Sequence, residues 1–331
     1  MMRKVLVTGG YGYLGGRIAQ TLAAQGWHVT LGTRRAVAGA PDWLPDATPL
    51  QLDWKLNESL VAACSGQDAV VHLAAMNEVE ALRDPVGALR VNGVEALRLL
   101  EAAITARASR FVYLSTAHVY GSPLVGLIDE ATVARPKHPY AITHKVTEDF
   151  VLAAHDAGRI EGVVLRLSNS FGAPAHAGVD RWTLLINDLC RQAAASRKLV
   201  LHSAGLQRRD FITLADTARA VAHVLDLDKP LLADGLFNLG GDAPKLVIEM
   251  AELVASRCEA VLGFLPPLQR PEPKPGETGA DLTFSSCKLQ ATGFLPMRDH
   301  ACEIDATLRL CFTAFGNAVE AVVDALAVRN A

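Results

Sequence analysis

The sequence predicts an α/β protein, a doubly wound parallel sheet with a smaller C-terminal α/β unit. Three observations predict it. Short runs rich in β-branched residues alternate with longer segments of helical period through the first 166 residues. The runs lack internal polar alternation, so both faces of the sheet are buried, as in parallel strands joined by helices. A glycine-rich turn, "VTGGYGYLGG", follows the first run and opens the first helical segment.

Taken in order, "KVLVTG" is the first strand, residues 14–25 the first helix and "HVTLGT" the second strand. A loop leads to a helix at 57–64, a strand at "DAVVHLAA", a helix at 86–107 and a strand at "RFVYLST". Residues 140–156 have helical period, and "EGVVLRLS" closes the alternation. The rhythm then changes to a helix near 181–195, a strand "KLVLH", a helix at 213–226, a strand "GLFNLGG" and a helix at 244–257. The stretch "LPPLQRPEPKPGETGA" lacks backbone donors for a helix or an inner strand and is expected as a surface loop. Residues 303–328 are apolar at helical spacing and are expected to pack on the smaller unit.

Composition narrows the function. The chain has 331 residues, 50% hydrophobic and 20% charged, with a net charge of -3, the profile of a globular protein with a large core. That balance gives no field for gripping nucleic acid, so no nucleic-acid partner is expected. The six cysteines never approach a C-x-x-C spacing and are expected to be reduced. With no signal-peptide core and no run able to span a bilayer, the expectation is a cytoplasmic protein without a membrane partner. The ten histidines show no ligand spacing, so no metal is expected. His72 is read as a core histidine and His118 as an ordinary polar residue.

The glycine turn carries the first chemistry. Gly9, Gly12 and Gly15 form G-x-x-G-x-x-G, with Tyr13 and Leu14 inside it. Backbone N–H groups at a helix start attract phosphate, and positions without side chains let a pyrophosphate approach. At the end of the second strand, "LGTRR" puts Thr33 where an acid would hold the ribose hydroxyls of NAD, followed by Arg34 and Arg35. Guanidinium groups there suit a 2′-phosphate, so NADP is expected, with NAD the alternative. In "HPYAITHKVTEDF", Tyr140 has His144 one helical turn on and Lys145 a residue further. Positions i and i+4 share a helix face, whereas i+5 is rotated away by about 100°.

The glycine turn, "FVYLSTAHVYG" and "YAITHK" together resemble the extended short-chain dehydrogenase/reductase family, the NAD(P)-dependent sugar-nucleotide epimerases and dehydratases. The resemblance runs from residue 4 to about 295 through "HLAA", "VNGVEALRLLEAA", "RLSNSFG", "QRRDFITLADTARA", "KPGE" and "SSCKLQATGF". It implies an NAD(P)-binding Rossmann domain over 1–166 plus about 206–239, and a substrate domain over about 167–205 plus 240–331. It implies that Asp53 touches adenine and that Leu73, Ala74 and Ala75 line the cofactor. Thr116 falls on the catalytic Ser/Thr and Tyr140 on the catalytic tyrosine; Asn169 and Arg209 fall on positions that hold the substrate diphosphate. Lys274 stands where the family has a second phosphate-binding arginine, which keeps the charge and loses the bidentate fork. The implied state is a homodimer, joined by the helices at 86–107 and 140–156 in a four-helix interface.

Two departures sharpen the expectation. The acid pair that follows the threonine in the family's 4,6-dehydratases is here Ala117 and His118, which disfavours dehydration. What remains is 4-epimerisation of a UDP- or dTDP-sugar, or reduction of a 4-keto sugar or small carbonyl by NADPH. The family's lysine four residues after the tyrosine is here His144, and three accounts stand. His144 takes over part of the lysine's work, or a π-bulge returns Lys145 to the cleft, or catalysis is lost and a nucleotide-binding module remains.

Overall fold

The computed structural model describes residues 2–36 and 38–316. The first half runs β1 (Lys4–Thr8), α1 (Tyr13–Ala24), β2 (His28–Thr33), β3 (Thr48–Gln51), α2 (Asn57–Cys64), β4 (Ala69–His72), α3 (Glu78–Arg83), α4 (Pro85–Ala88), a π-helical turn (Leu89–Glu95) and α5 (Ala96–Thr105). It continues with β5 (Arg110–Thr116), a 3-10 turn (Ala117–Tyr120), β6 (Gly126–Ile128), α6 (Pro139–Asp156) and β7 (Glu161–Leu167). The second half holds β8 (Asn169–Phe171), α7 (Leu185–Ser196), β9 (Leu199–Val200), β10 (Arg208–Arg209), β11 (Phe211–Thr213), α8 (Leu214–Asp226) and β12 (Leu236–Leu239). It ends with β13 (Lys245–Leu246), α9 (Val247–Leu262), β14 (Leu268–Gln269), β15 (Leu282–Phe284), α10 (Cys287–Gln290) and α11 (His300–Phe315). The part of the expected C-terminal helix beyond residue 316 lies outside the described residues.

Seven strands form one sheet in the order β12-β7-β5-β4-β1-β2-β3, and all its pairings are parallel. Strand period sends Val5 and Val7 to one face and Leu6 to the other, and all three are fully buried. Val5 and Val7 join Ile18 and Leu22 of α1 and Val221 of α8 in one core. Leu6 joins Leu60 of α2, Leu99 of α5 and Val151 of α6 in another. Both faces are therefore covered, as the non-alternating strands require. A third core, with Leu189 of α7, Met250 of α9 and Leu308 of α11, gathers the C-terminal elements. Among the described residues no helix is long and apolar enough to cross a membrane.

Two local differences from the sequence reading have physical reasons. β3 contains Pro49 and falls within the segment read as loop; as an edge strand paired only with β2, it can spare the missing N–H. The helix expected at 86–107 is α-helical at each end and π-helical over Leu89–Glu95. The π turn points Asn92 inward, where its side chain accepts from the Met76 N–H at 2.7 Å and donates to Thr143 Oγ1 at 3.1 Å.

Candidate active site

The glycine turn sits where the strand order reverses, between β1 and β4. Gly9 has φ +71°, and a side chain at Gly15 would place Cβ only 2.2 Å from the Gly9 carbonyl oxygen. The turn thus tolerates glycine alone at these positions, which leaves the start of α1 open to a ligand. The cavity in front of it has a volume of about 440 Å³. Of the residues singled out from sequence, Gly9, Gly12, Tyr13, Leu14, Gly15, Leu73, Ala75, Thr116, Tyr140, His144, Asn169 and Arg209 line it.

The others lie elsewhere. Ala74 packs its backbone against Gly9. Arg34 and Arg35 are exposed just past β2, and exposed Asp53 accepts from the Lys55 N–H at 2.9 Å. Lys274 is in an exposed loop, where its N–H donates to Glu277. Lys145 is paired with Asp149 on another face of α6.

The fate of Lys145 corrects one expectation. α6 is an uninterrupted α-helix over Pro139–Asp156, so no bulge turns the lysine into the cleft. The regular register is held by Asn92, which bonds Thr143 through its side chain and accepts from Thr147 through its carbonyl. Those threonines are one turn apart, and an extra residue between them would break the pair. The π turn occurs in the neighbouring segment instead. His138 caps α6 by accepting from the Tyr140 N–H at 3.2 Å, and Pro139 takes the first helical position, so Tyr140 enters the cavity from a fixed helix start.

Thr116 ends β5 and lines the cavity, and its Oγ1 accepts from the His118 N–H at 3.2 Å. The Tyr140 and His144 rings meet at 60°, with centroids 4.3 Å apart. Burial and, less strongly, the Glu78 carboxylate push the Tyr140 phenol well above its ordinary range; Arg181 pulls it back in part. Burial holds the His144 imidazole down to about 4, so it is neutral at pH 7 and supplies no imidazolium to the phenol. Its Nδ1 lies 2.6 Å from the Tyr113 hydroxyl, and its buried Nε2 has no partner among the described residues.

Behind Thr116, Ser115 donates to Glu148 at 2.5 Å, and Glu148 pairs with the buried Arg166 at 2.7 Å. That pair fixes α6 against β5 and β7 from inside. On the far wall, Arg209 meets no carboxylate within ion-pair distance among the described residues, and burial lowers its guanidinium somewhat. Asn169 donates to the Asp210 carbonyl at 2.8 Å, which ties β8 to the residue that follows Arg209.

Three cavity residues, and one behind the cavity wall, were missed or discounted in the sequence. Glu78 and Arg181 form a bidentate pair, at 2.8 and 3.0 Å, across the opening. His118, read as an ordinary polar residue, lines the same wall, and Tyr113 stands behind His144. The only available signal was position: Glu78 follows the C-terminal end of β4 and Tyr113 lies in β5, beside the edge where open α/β sheets bind ligands.

This topology, with its glycine turn at the reversal, defines a Rossmann-type α/β protein. The profile of the NAD dependent epimerase/dehydratase family matches residues 5–240. A UDP-glucose 4-epimerase from Corynebacterium glutamicum is 30% identical over 314 residues, covering 88% of this chain and 91% of that one. A dTDP-glucose 4,6-dehydratase from Streptomyces niveus is 28% identical over 273 residues, covering 78% of each. The solved UDP-glucose 4-epimerase of Thermus thermophilus, in complex with NAD, superposes with a TM-score of 0.75 at 25% identity, covering 93% of this chain and 98% of that one. The chain belongs to the NAD dependent epimerase/dehydratase family.

Proposed function

We propose that the protein binds a nicotinamide dinucleotide and a nucleotide-activated sugar in this cavity and epimerises the sugar at C4. The carrying observation is that one cavity gathers the glycine turn, Thr116, Tyr140 and an arginine without a carboxylate partner among the described residues. The side-chain-free cradle at Gly9, Gly12 and Gly15 fits a pyrophosphate. A nicotinamide ring supplies hydride exchange when bound.

The chain's own residues do the rest. Thr116 would hydrogen-bond the oxygen on the sugar carbon that is oxidised and reduced, and Tyr140 would exchange the proton of that hydroxyl while the hydride of the carbon passes to the bound nicotinamide and back. His144 offers its Nε2, unpartnered among the described residues, to a ribose hydroxyl. Arg209 and Asn169 hold the diphosphate, with Lys274 as a second cation reached from its loop. Leu73, Ala74 and Ala75 would line the cofactor, and Asp53 would touch its adenine. In this reading residues 1–166 with about 206–239 carry the cofactor, and the remainder the sugar nucleotide.

Dehydration is the weaker reading despite the dehydratase relative. Ala117 and His118 bring no acid beside Thr116, and the Glu78 carboxylate is engaged by Arg181. Reduction of a 4-keto sugar or small carbonyl has one observation in its favour. Arg34 and Arg35 suit the 2′-phosphate of NADP, and an epimerase that recycles its cofactor gains little from that form. We also infer a homodimer, since Leu82, Val86, Leu89, Val94, Ile142 and Phe150 are exposed on adjoining elements from α3 to α6. Ile142 and Phe150 face outward from α6.

The test is to purify the protein, record the absorbance of bound nicotinamide, and follow UDP- and dTDP-sugars by NMR. Interconversion of C4 epimers without net cofactor consumption supports the proposal. Stoichiometric consumption of NADPH with a ketone selects the reductase. Cofactor binding without turnover of either class leaves a silent module and refutes both.

A further inference from the structure

Tyr113 lies in the middle of β5, buried, with two imidazoles near its ring. The His144 ring lies at 5.6 Å and 26° to it, and the His72 ring at 5.8 Å and 24°. His72 is anchored by Thr8, whose Oγ1 lies 2.6 Å from its Nδ1. The Tyr113 hydroxyl lies 2.6 Å from Nδ1 of His144, and that contact is buried. No polar atom of the described residues reaches Nε2 of His144, though the residue lines the cavity beside Tyr140.

A neutral imidazole has one N–H and one lone pair, so the partner of one nitrogen decides what the other presents. Burial keeps the Tyr113 phenol protonated and the His144 ring neutral. The phenol must then place its proton, because a buried O–H without an acceptor loses its full solvation. Thr147, the other hydroxyl nearby, gives its own proton to the Asn92 carbonyl, and among the described residues the hydrogen-bond contact of the Tyr113 hydroxyl is with Nδ1 of His144. Nδ1 of His144 is the acceptor in line.

We propose that Tyr113 is a positioning residue: it donates to Nδ1, fixes the tautomer with the proton on Nε2, and aims a neutral N–H donor at a ligand hydroxyl. This rests on reading the cavity as a dinucleotide site, in which that hydroxyl belongs to ribose. The site then differs from one built on a lysine in a specific way. It keeps the hydrogen bond to the sugar and gives up the positive charge beside Tyr140.

The experiment has two independent arms. In the ligand-free wild-type protein, nitrogen-15 NMR of the His144 ring reads the tautomer directly. A pyrrole-type Nε2 and a pyridine-type Nδ1 are expected; the reverse assignment overturns the proposal. In the second arm Tyr113→Phe keeps the ring and removes the donor. The Kd for NADP+, or for NAD+ if that binds tighter, is expected to rise roughly 2- to 10-fold, the span of one ordinary hydrogen bond. The Nδ1 resonance should shift as well. An unchanged tautomer together with an unchanged Kd refutes the positioning role. If wild-type protein binds neither dinucleotide, the reading of the cavity fails, while the tautomer measured without ligand still decides the role of Tyr113.

Discussion

Replacing His144 with lysine restores a positive charge on the face of α6 that carries Tyr140, and its effect follows from the geometry. In the wild-type protein the phenol is pushed up by burial and by Glu78, and the neutral imidazole at 4.3 Å between centroids offers no relief. At an effective dielectric of about 20, a unit charge about 4 Å away is worth about 4 kcal/mol, an upper bound near three pKa units. A cleft open to water reduces this, so His144→Lys should lower the Tyr140 pKa by about one to three units. The assay is phenolate absorbance against pH, with Tyr140→Phe subtracted, alongside turnover over the same range. Both curves should shift to lower pH in the variant, and wild-type turnover in the oxidative direction should rise with pH well above neutrality. A phenol that titrates near neutrality in the wild type, or curves that superimpose, would refute the argument.

Other outcomes follow from the same structure. Burial holds His72 down to about 3 and His144 to about 4, from 6.5 when unfolded. As pH falls, the unfolded chain takes up protons first, so stability is full above about pH 6.5 and declines toward pH 4. Each histidine should cost about 2 kcal/mol between pH 7 and pH 5, seen as a lower urea midpoint that His144→Gln partly restores; equal midpoints would contradict this. Replacing Arg34 and Arg35 together with alanine should weaken NADP+ binding about 10- to 100-fold, as for lost hydrogen bonds to a charged group, and leave NAD+ within about twofold. Phe150→Glu should turn a dimer into monomers by sedimentation equilibrium, because it sets a charge on the exposed apolar face. A wild-type monomer would remove that inference.

Much of the site was legible because its parts lie on strand ends and helix starts. The glycine turn, Thr116 at the end of β5 and Tyr140 at the start of α6 were each marked by local pattern, and parallel topology brings strand ends to one edge. The question of Lys145 was not legible in α6 alone. It was decided by Asn92, 51 residues before Thr143, whose bonds to two threonines one turn apart keep the helix regular. The π turn that presents Asn92 has no composition signal. Glu78 and Arg181 stand 103 residues apart, and no periodicity announces their pairing. Pro49 hid an edge strand because proline argues against strands wherever the edge is not known in advance.

The central claim is that Tyr140 is the acid/base of an oxidoreductase site acting on a nucleotide-activated sugar. The most direct measurement compares wild type and Tyr140→Phe for dinucleotide binding and for turnover of the sugar nucleotide that the wild type converts. The account predicts unchanged dinucleotide binding and a fall in turnover of about 10²- to 10⁴-fold, the usual contribution of a positioned proton-transfer group. Turnover within a few-fold of wild type would contradict it.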